Sequence, residues 1–290
     1  MKTIVIKIGG GEGIELAPIL DELAGLVRGG ERVVLVHGGS HETNVLSEKL
    51  GHPARTITSP SGHTSRRTDR TTLDIFTMVY CGRVNKGIVE RLQRAGVNAV
   101  GLSGIDGGLW RGARKDAIRA IEQGRTVIIR DDLSGTVDRV DAGLLEVLLE
   151  RGFVPVLTPP AITEDGTAIN VDADRAAART AAALGASELL LLSNVRGVLR
   201  DPRDAGSLIG RVDGSNVEQV RAAAAGRMKN KVLAAEEAMR GVGGRAVPRV
   251  VIGSANGENA IARARAGEGT VFVTGSGAGA SAGAVAAGVA

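Results

Sequence analysis

Short continuous apolar runs alternate along the chain with segments in which apolar residues recur every three or four positions. The runs predict strands buried on both faces, as in a parallel sheet covered by helices. They lie at 4–8, 33–36, 98–103, 154–157, 188–192, 249–252 and 270–273. The predicted helices lie at 16–27, 42–50, 71–80, 85–95, 142–151, 175–184 and 226–239. This alternation predicts an α/β fold with a mostly parallel central sheet sandwiched between helices, in three αβα layers.

Two stretches depart from this alternation. Residues 59–69 are polar and rich in turn formers, which favours a loop. Between 109 and 140, short strands at 126–129 and 136–140 are broken by Gly and Asp pairs and predict a small β-rich flap. We expect one domain over 1–274 and a disordered tail at 275–290, which contains only Gly, Ala, Ser and Val.

Glycines follow the first two strands, each time after a polar residue. Lys7 lies just before Gly9-Gly10, and His37 comes directly before Gly38-Gly39. Burying an ammonium is costly unless an anion is present, and glycines allow backbone N–H groups to close around such an anion. Two such turns at one edge of a sheet predict a polyphosphate site. The alternative is that Lys7 reaches solvent and the glycines only form turns.

Polar residues also accumulate at the starts of two later helices. Asn170, Asp172 and Asp174 recur at every second position, so on an extended segment they point to one side. An aspartate there is explained equally well as a helix cap. The segment 226–231 opens another helix with three basic residues. Basic residues in a first turn oppose the helix dipole, so an anion at that position is the better explanation.

Composition limits the classes of partner. Aromatic residues make up 2% of the 290 residues, which excludes a stacking platform for nucleic acid. Cys81 is the only cysteine, which excludes an internal disulfide. Without a long apolar run, we expect a cytoplasmic protein with no membrane partner. Residues 52–94 carry eight basic and three acidic side chains, which would attract an acidic partner or form an ordinary solvated helix face.

Five motifs, in this order, resemble those of the amino acid kinase family, and most closely those of its acetylglutamate kinase branch. They are Lys7-Ile8-Gly9-Gly10, His37-Gly38-Gly39, Asn170-Val171-Asp172-Ala173-Asp174, Ser193-Asn194-Val195-Arg196-Gly197 and Gly226-Arg227-Met228-Lys229-Asn230-Lys231. The resemblance extends to about Val273. It implies a homodimer that uses ATP to convert a side-chain carboxylate into an acyl phosphate. Mg²⁺ would be bound through the ATP phosphates rather than at a metal site of the protein.

The segment 62–69 departs from the acetylglutamate kinase pattern, which has a shorter Gly-x-Arg-Val-Thr sequence there. Together with Asn194, where that branch commonly has Asp, it is similar to the [LysW]-aminoadipate kinases, which act on an amino acid attached to a small acidic carrier protein. The similarity implies carrier-linked 2-aminoadipate or glutamate as the acceptor, in lysine or arginine biosynthesis.

Three alternatives stay open at this point. The first is an acetylglutamate kinase that acts on free N-acetyl-L-glutamate in arginine biosynthesis. The second shares the fold but phosphorylates another acceptor, such as carbamate, against which Arg66 argues. The third is a nucleotide-binding protein without turnover, which the presence of both Lys7 and Lys231 disfavours.

The resemblance also implies a role for each matching residue. Lys7 and Lys231 would flank the phosphoryl group, and Asp174 would orient both lysines rather than take a proton. Arg66 would bind the α-carboxylate of the substrate beside Asn170. Backbone N–H groups would hold the phosphoryl oxygens, from Gly9 and Gly10 on the phosphate side and from Gly38 and Gly39 on the substrate side.

The nucleotide pocket would be formed by a second set of residues, namely Ser193, Asn194, Gly197, Val198, Met228 and Lys229. Residues 1–170 would then form mainly the acceptor half of the domain, and residues 171–274 mainly the ATP half. Asp172 stands where the family often has asparagine, so its role is left open.

Overall fold

The helices account for the layers on both sides of the sheet. The computed structural model describes residues 2–60, 62, 64–122 and 124–273, so the predicted tail at 275–290 lies outside the described residues. Within them the α-helices are α1 (Leu16–Arg28), α2 (Ser40–Lys49), α3 (Arg70–Thr77), α4 (Asn85–Arg94), α5 (Ala142–Glu150), α6 (Ala173–Ala183), α7 (Val217–Ala223), α8 (Met228–Met239) and α9 (Ala260–Ala266). None of these helices is long and apolar enough to cross a bilayer.

The strands follow the predicted apolar runs, with additional short strands in the middle of the chain. They are β1 (Thr3–Ile8), β2 (Arg32–His37), β3 (Thr56–Thr58), β4 (Thr64–Arg66), β5 (Ala99–Ser103), β6 (Trp110–Arg111), β7 (Ile118–Glu122), β8 (Arg125–Ile129), β9 (Arg139–Val140), β10 (Val154–Thr158), β11 (Ala161–Ile162), β12 (Ala168–Ile169), β13 (Glu188–Ser193), β14 (Arg211–Val212), β15 (Arg249–Ser254) and β16 (Thr270–Val273).

Eight strands form the central sheet in the order β14-β16-β15-β13-β1-β2-β10-β5. Every neighbouring pair is parallel except β15 and β16, which confirms the predicted mostly parallel sheet. β1 lies in the middle between β2 and β13, where Lys7 is level with Val36 and Leu191. The carboxyl ends of these three strands therefore meet at one edge, where open α/β sheets bind ligands.

Alternation along β1 assigns its side chains to two apolar cores. Ile4, Ile6 and Ile8 pack with residues of α1, α4 and α9 on one face. Val5 packs on the other face with alanines of α6 and α8. Because successive side chains of a strand point to opposite faces, Lys7 lies on the same face as Val5. The sequence periodicity thus directs Lys7 toward the starts of α6 and α8.

Three departures from the predicted elements lie near this edge. Residues 64–66, predicted as loop, form β4 and pair with β3 in an antiparallel hairpin. The two helices predicted at 71–80 and 85–95 are joined by a π-helix (Met78–Val84). It begins directly after α3 and ends directly before α4, so the helical backbone continues without a break. In the flap, only Arg139–Val140 of the predicted strand 136–140 is extended, in a four-stranded sheet of order β12-β11-β6-β9.

A second hairpin, β7–β8, stands beside the β3–β4 hairpin. Its strands pair antiparallel from Ile118 opposite Ile129 to Glu122 opposite Arg125. Ile57 of β3 packs against Ala120 and Ile129, so a small apolar cluster joins the two hairpins. The hairpins therefore form one wall next to the carboxyl edge of the sheet.

Candidate active site

The two glycine turns are in direct backbone contact. β1 and β2 pair in parallel with Ile8 opposite His37, so the turns that follow them emerge side by side. A Cβ on Gly38 would lie 2.8 Å from the nitrogen of Gly10, and a Cβ on Gly10 would overlap the backbone of Gly39. The carbonyl of Gly10 accepts hydrogen bonds from the His41 amide (2.7 Å) and the hydroxyl of Ser40 (2.8 Å). Only glycine fits at this contact.

Two of the four glycine amides predicted to hold phosphoryl oxygens donate to backbone carbonyls in the structure. The Gly9 amide donates to the Leu192 carbonyl (2.8 Å), and the Gly38 amide donates to the Ile8 carbonyl (3.0 Å). Both amides therefore extend the sheet ladder and are not available to a phosphate oxygen. Among the described residues the Gly10 amide donates to no backbone carbonyl, and Gly10 lines the cleft, so its amide can donate to a ligand.

Lys7, Asp174 and Lys231 form a buried group of charges where β1, α6 and α8 meet. The Lys7 ammonium lies 2.6 Å from Oδ1 of Asp174, and the Lys231 ammonium lies 2.9 Å from Oδ2. All three side chains are less than 10% exposed. Two ammonium groups share one carboxylate, which leaves one positive charge without a partner within the group. A buried uncompensated cation favours an anionic ligand beside it.

The charge state of Asp174 follows from this arrangement. Burial acts to raise the pKa of its carboxyl group, but Lys231 and Lys7 outweigh burial and hold that pKa well below its ordinary value. Asp174 is therefore ionised at neutral pH and does not serve as a proton acceptor. Its geometry is that of a carboxylate that holds two ammonium groups at fixed positions.

A cleft of about 810 Å³ opens above this group and collects most of the predicted site residues. Its lining includes residues of the hairpin β3–β4, of the segment after β13 and of the start of α8. The predicted residues that line it are Lys7, Gly9, Gly10, Gly38, Arg66, Asn170, Asp174, Ser193, Asn194, Met228 and Lys231. The structure thus brings five separate motifs into one cavity.

Four predicted residues lie outside the cleft lining. Gly39 packs against the Tyr80 ring, where an added Cβ would come within 3.0 Å of two ring carbons. Gly197, at φ 150°, faces Leu208 and Thr270. The buried Val198 donates its amide to the Thr270 hydroxyl (2.8 Å). Lys229 is exposed on the outer side of α8. Gly39, Gly197 and Val198 therefore pack against neighbouring residues, and Lys229 faces solvent, instead of lining the cavity.

Arg66 lines the cleft and has N–H groups that are not used within the described part of the protein. Its Nη2 donates to Oδ1 of Asn44 (2.6 Å) and to the carbonyl of Ser40 (3.2 Å). Its Nη1 is buried and has no partner among the described residues. Burial lowers the pKa of Arg66, with Tyr80 opposing that effect. A buried guanidinium with an unused N–H group and only neutral partners is suited to bind a carboxylate.

Asn170 is linked through the Thr68 hydroxyl to the backbone carbonyl of Arg66. Its side-chain amide donates to the Thr68 hydroxyl (3.0 Å), and its backbone is fixed by hydrogen bonds with Leu133 and Gly135. It lines the cleft together with Arg66. The two residues predicted to bind the acceptor therefore lie on the same wall.

The sequence analysis missed several residues of the cleft. Phe76 and Tyr80 stack with ring centroids 3.8 Å apart and line it beside Arg66. Arg55, Lys115 and Arg227 also line it, and none of them has a carboxylate partner among the described residues. The π-helix that presents Tyr80 gives no distinct periodicity signal, although π-helical turns are frequent at functional sites.

The basic excess between 52 and 94 is mostly neutralised. Five of its basic residues pair with carboxylates, namely Arg67, Arg70, Arg83, Arg91 and Arg94. This segment is therefore largely a solvated helix face, as the alternative interpretation held. Arg55 and Arg66 are the members of this segment that line the cleft, and neither has a carboxylate partner among the described residues.

These features define a class of protein: an α/β protein with an anion-binding cleft at the carboxyl edge of its sheet. The family model for the Amino acid kinase family matches residues 2–254. The chain belongs to the amino acid kinase family.

Individual relatives refine this assignment. The chain is 55% identical over 271 residues to a [LysW]-aminoadipate kinase from Deinococcus radiodurans, covering 93% of this chain and 91% of the relative. It is 38% identical over 261 residues to an acetylglutamate kinase from Methanopyrus kandleri, covering 89% and 99%. Among solved structures, the N-acetylglutamate synthase of Neisseria gonorrhoeae superposes with a TM-score of 0.74 at 23% identity, covering 94% of this chain and 59% of that chain. The last comparison supports the fold alone.

Proposed function

We propose that this protein transfers the γ-phosphoryl group of ATP to the side-chain carboxylate of 2-aminoadipate, or of glutamate, attached to a small acidic carrier protein in lysine or arginine biosynthesis. The observation that carries the proposal is the buried Lys7–Asp174–Lys231 group between Arg66 and the start of α8. The similarity to the Deinococcus radiodurans relative supports the choice of acceptor. The product is an acyl phosphate, with ADP as the leaving group.

The acceptor needs no general base. A Glu-like carboxylate titrates near pH 4.3, so it is already ionised at neutral pH. The obstacle is that an anionic nucleophile must approach an anionic phosphoryl group. Catalysis then consists of positioning the two groups and neutralising the charge on the equatorial oxygens.

The buried charges of Lys7, Asp174 and Lys231 line the cleft and can supply this neutralisation. Lys7 and Lys231 would contact phosphoryl oxygens, while Asp174 keeps both ammonium groups in place and stays ionised. The amide of Gly10 would donate to the same phosphoryl group. Because the group carries one net positive charge before the ligand binds, charge developing on the phosphoryl oxygens is stabilised without rearrangement of the protein.

The two ends of the cleft divide the substrates between them. Arg66 and Asn170, both before residue 171, would bind the α-carboxylate end of the acceptor. Ser193, Asn194 and Met228 would bind the nucleotide, which assigns residues 1–170 mainly to the acceptor and residues 171–274 mainly to ATP. Both sets of residues line the same cavity, which supports the binding of the two substrates side by side.

Magnesium would enter with ATP and neutralise its phosphates. Within the described residues, no group of three or more His, Cys, Asp or Glu side chains could hold a metal ion. The carboxylates nearest the ligand are already committed, since Asp174 binds two lysines and Asp172 accepts hydrogen bonds from Arg175 and Asn230. The donor set therefore fits a metal held mainly by the phosphates.

The carrier would dock on the hairpin wall at the acceptor end. Arg119 and Arg130 are exposed on or beside β7–β8 and have no carboxylate partner among the described residues. Ile128 on the same hairpin is 58% exposed. A surface that combines unpaired cations with an exposed apolar side chain suits an acidic protein partner. We further propose that the enzyme is a cytoplasmic homodimer.

One experiment separates this function from its nearest alternative. Hydroxylamine traps acyl phosphates, so hydroxamate formation can be compared for carrier-linked aminoadipate, carrier-linked glutamate and free N-acetyl-L-glutamate. We expect kcat/KM to be highest for a carrier-linked acceptor. A higher value for free N-acetyl-L-glutamate would establish an acetylglutamate kinase, the activity named for the Methanopyrus kandleri relative. No ATP-dependent product with any acceptor would refute both.

A charge-reversal variant tests the docking surface. Arg119→Glu should raise KM for the carrier-linked acceptor at low ionic strength, and the difference from the unmodified enzyme should shrink as salt screens the charges, while KM for ATP stays constant. Arg91→Glu is the control, because Arg91 is paired with Asp21 on the helical side of the protein. Equal effects of the two substitutions would contradict docking on the hairpin. Sedimentation velocity of the untreated protein tests the homodimer.

A further inference from the structure

The helix that carries Lys231 begins without a side-chain cap. Arg227 precedes α8 and provides no side-chain cap, and the first turn contains no acidic residue. Lys229 and Lys231 lie in that turn, where their charges oppose the helix dipole. The first two amides of α8 donate only to carbonyls of the turn just before it. A helix start of this kind tends to open unless another contact holds it. The position of the Lys231 ammonium therefore depends on contacts made from outside α8.

Asp172 supplies such a contact from the start of α6. Its Oδ1 accepts a hydrogen bond from the Arg175 amide (3.0 Å), which caps α6. Its Oδ2 accepts a hydrogen bond from the side-chain amide of Asn230 (2.7 Å). One carboxylate thus joins the starts of two helices whose contacting residues lie 58 positions apart.

This hydrogen bond runs parallel to the ion pair at the active centre. Asp174 comes two positions after Asp172, and Lys231 comes directly after Asn230. The two links, Asp172–Asn230 and Asp174–Lys231, therefore connect the same first turns. Further along, Arg175 binds Glu237 with both Nε (3.1 Å) and Nη2 (2.6 Å). The contacts between α6 and α8 thus fix their relative rotation near the cleft.

We propose that Asp172 and Asn230 are positioning residues, which hold Lys231 in the geometry required for phosphoryl transfer. The proposal rests on the proposed kinase function and assigns a role to Asp172. Capping α6 alone would use only Oδ1, and asparagine would cap equally well. The second oxygen, Oδ2, accepts the hydrogen bond from Asn230 and so fixes the first turn of α8, which carries Lys231, relative to α6.

Three variants test the hydrogen bond itself. Asn230→Ala removes the donor, and Asn230→Asp places two carboxylates against each other. Each should lower kcat by about 10- to 100-fold, the range for losing a hydrogen bond to a charged group, with little change in KM for ATP. The exchange Asp172→Asn with Asn230→Asp restores the pair with donor and acceptor reversed, and the asparagine introduced at position 172 can still cap α6. It should recover kcat to within about threefold of the unmodified enzyme.

A matched control separates positioning from general stability. Arg221 binds Glu236 of α8 through Nε (2.7 Å) and Nη2 (2.5 Å), away from the cleft lining. Arg221→Ala leaves that buried carboxylate with weaker pairing, so it should lower the melting temperature while kcat stays unchanged. If Asn230→Ala likewise changed only the melting temperature, the positioning role would be refuted. If the exchange failed to restore kcat in a folded protein, Asp172 would act on the ligand directly.

Hydrogen exchange provides a readout that does not depend on activity. Asn230→Ala should increase amide exchange in residues 228–231 by at least about tenfold relative to the unmodified protein, whereas Arg221→Ala should not. If the unmodified protein formed no acyl phosphate, the proposed function would be refuted. Amide hydrogen exchange would still show whether the Asp172–Asn230 hydrogen bond holds the start of α8. If amide exchange were unchanged in Asn230→Ala, the positioning role of the Asp172–Asn230 hydrogen bond would be refuted, even in an active kinase.

Discussion

Replacing Lys231 by methionine tests the central part of the mechanism. Methionine keeps an unbranched apolar stem and removes the ammonium group. Asp174 retains Lys7 at 2.6 Å, so the buried carboxylate still has a partner and the fold should persist. The net charge of the group falls from +1 to zero, which removes the excess positive charge that faces the phosphoryl oxygens.

The size of the effect follows from Coulomb's law. A unit cation about 4 Å from a unit anion contributes about 4 kcal/mol at an effective dielectric constant near 20. Removing one donor to a developing oxyanion costs about 2.7–4 kcal/mol in measured cases. We therefore expect kcat to fall by about 10² to 10³-fold, while KM for ATP changes by much less. Lys7→Met should behave in the same way.

The assay is hydroxamate formation at saturating ATP and acceptor. Lys2→Met is the matched control, because Lys2 is exposed at the opposite edge of the sheet and loses the same charge. An increase in KM with kcat unchanged would show that Lys231 only binds the nucleotide. Full activity in Lys231→Met would refute the assignment of both lysines.

Three further predictions follow from the same structure. Gly10→Ala places a Cβ against the backbone of Gly39, so it should lower the free energy of unfolding by about 1–3 kcal/mol or more and abolish activity. Gly25→Ala is the control, because no neighbouring atom lies within 4 Å of the added Cβ. Thermal unfolding should show its stability unchanged or raised. Arg66→Lys should raise KM for the acceptor at least tenfold without affecting KM for ATP, since lysine cannot bind a carboxylate in bidentate fashion. If only KM for ATP changed, Arg66 would bind the nucleotide instead of the acceptor. Burial lowers the pKa of His37 to about 4, so between pH 6.5 and 4 the unfolded chain binds a proton that the folded chain does not. The free energy of unfolding should therefore fall by up to about 3 kcal/mol as the pH drops through that window. Urea unfolding of His37→Asn should show a weaker dependence of this free energy on pH, and an equal dependence in both proteins would contradict the assignment to His37.

The sequence predicts the central sheet and the buried Lys7 because both depend on local signals. Apolar runs such as 188–192 identify strands that are covered on both faces. A lysine in such a run has no ordinary structural role, so Lys7 could be singled out before any coordinates. Asp174 and Lys231 could be assigned only through the family resemblance, because they meet Lys7 across separations that no local pattern reports.

The parts that could not be predicted depend on polar contacts between distant segments. β3 and β4 contain mostly Thr, Ser and Arg, so nothing in their composition separates a hairpin from a loop. Whether the Gly9 and Gly38 amides are free depends on the register of neighbouring strands, and that register uses both in the sheet. The Asp172–Asn230 hydrogen bond is likewise set by how α6 packs on α8.

Trp110 gives the protein a built-in optical probe. It is the only tryptophan, it is fully buried between the small four-stranded sheet and α6, and its indole N–H donates to the hydroxyl of Thr180 (3.1 Å). Its fluorescence should be blue-shifted in the native protein, and should move to longer wavelength when that sheet separates from α6. Since α6 also carries Asp174, the emission spectrum monitors the support of the carboxylate that holds both lysines, without any label.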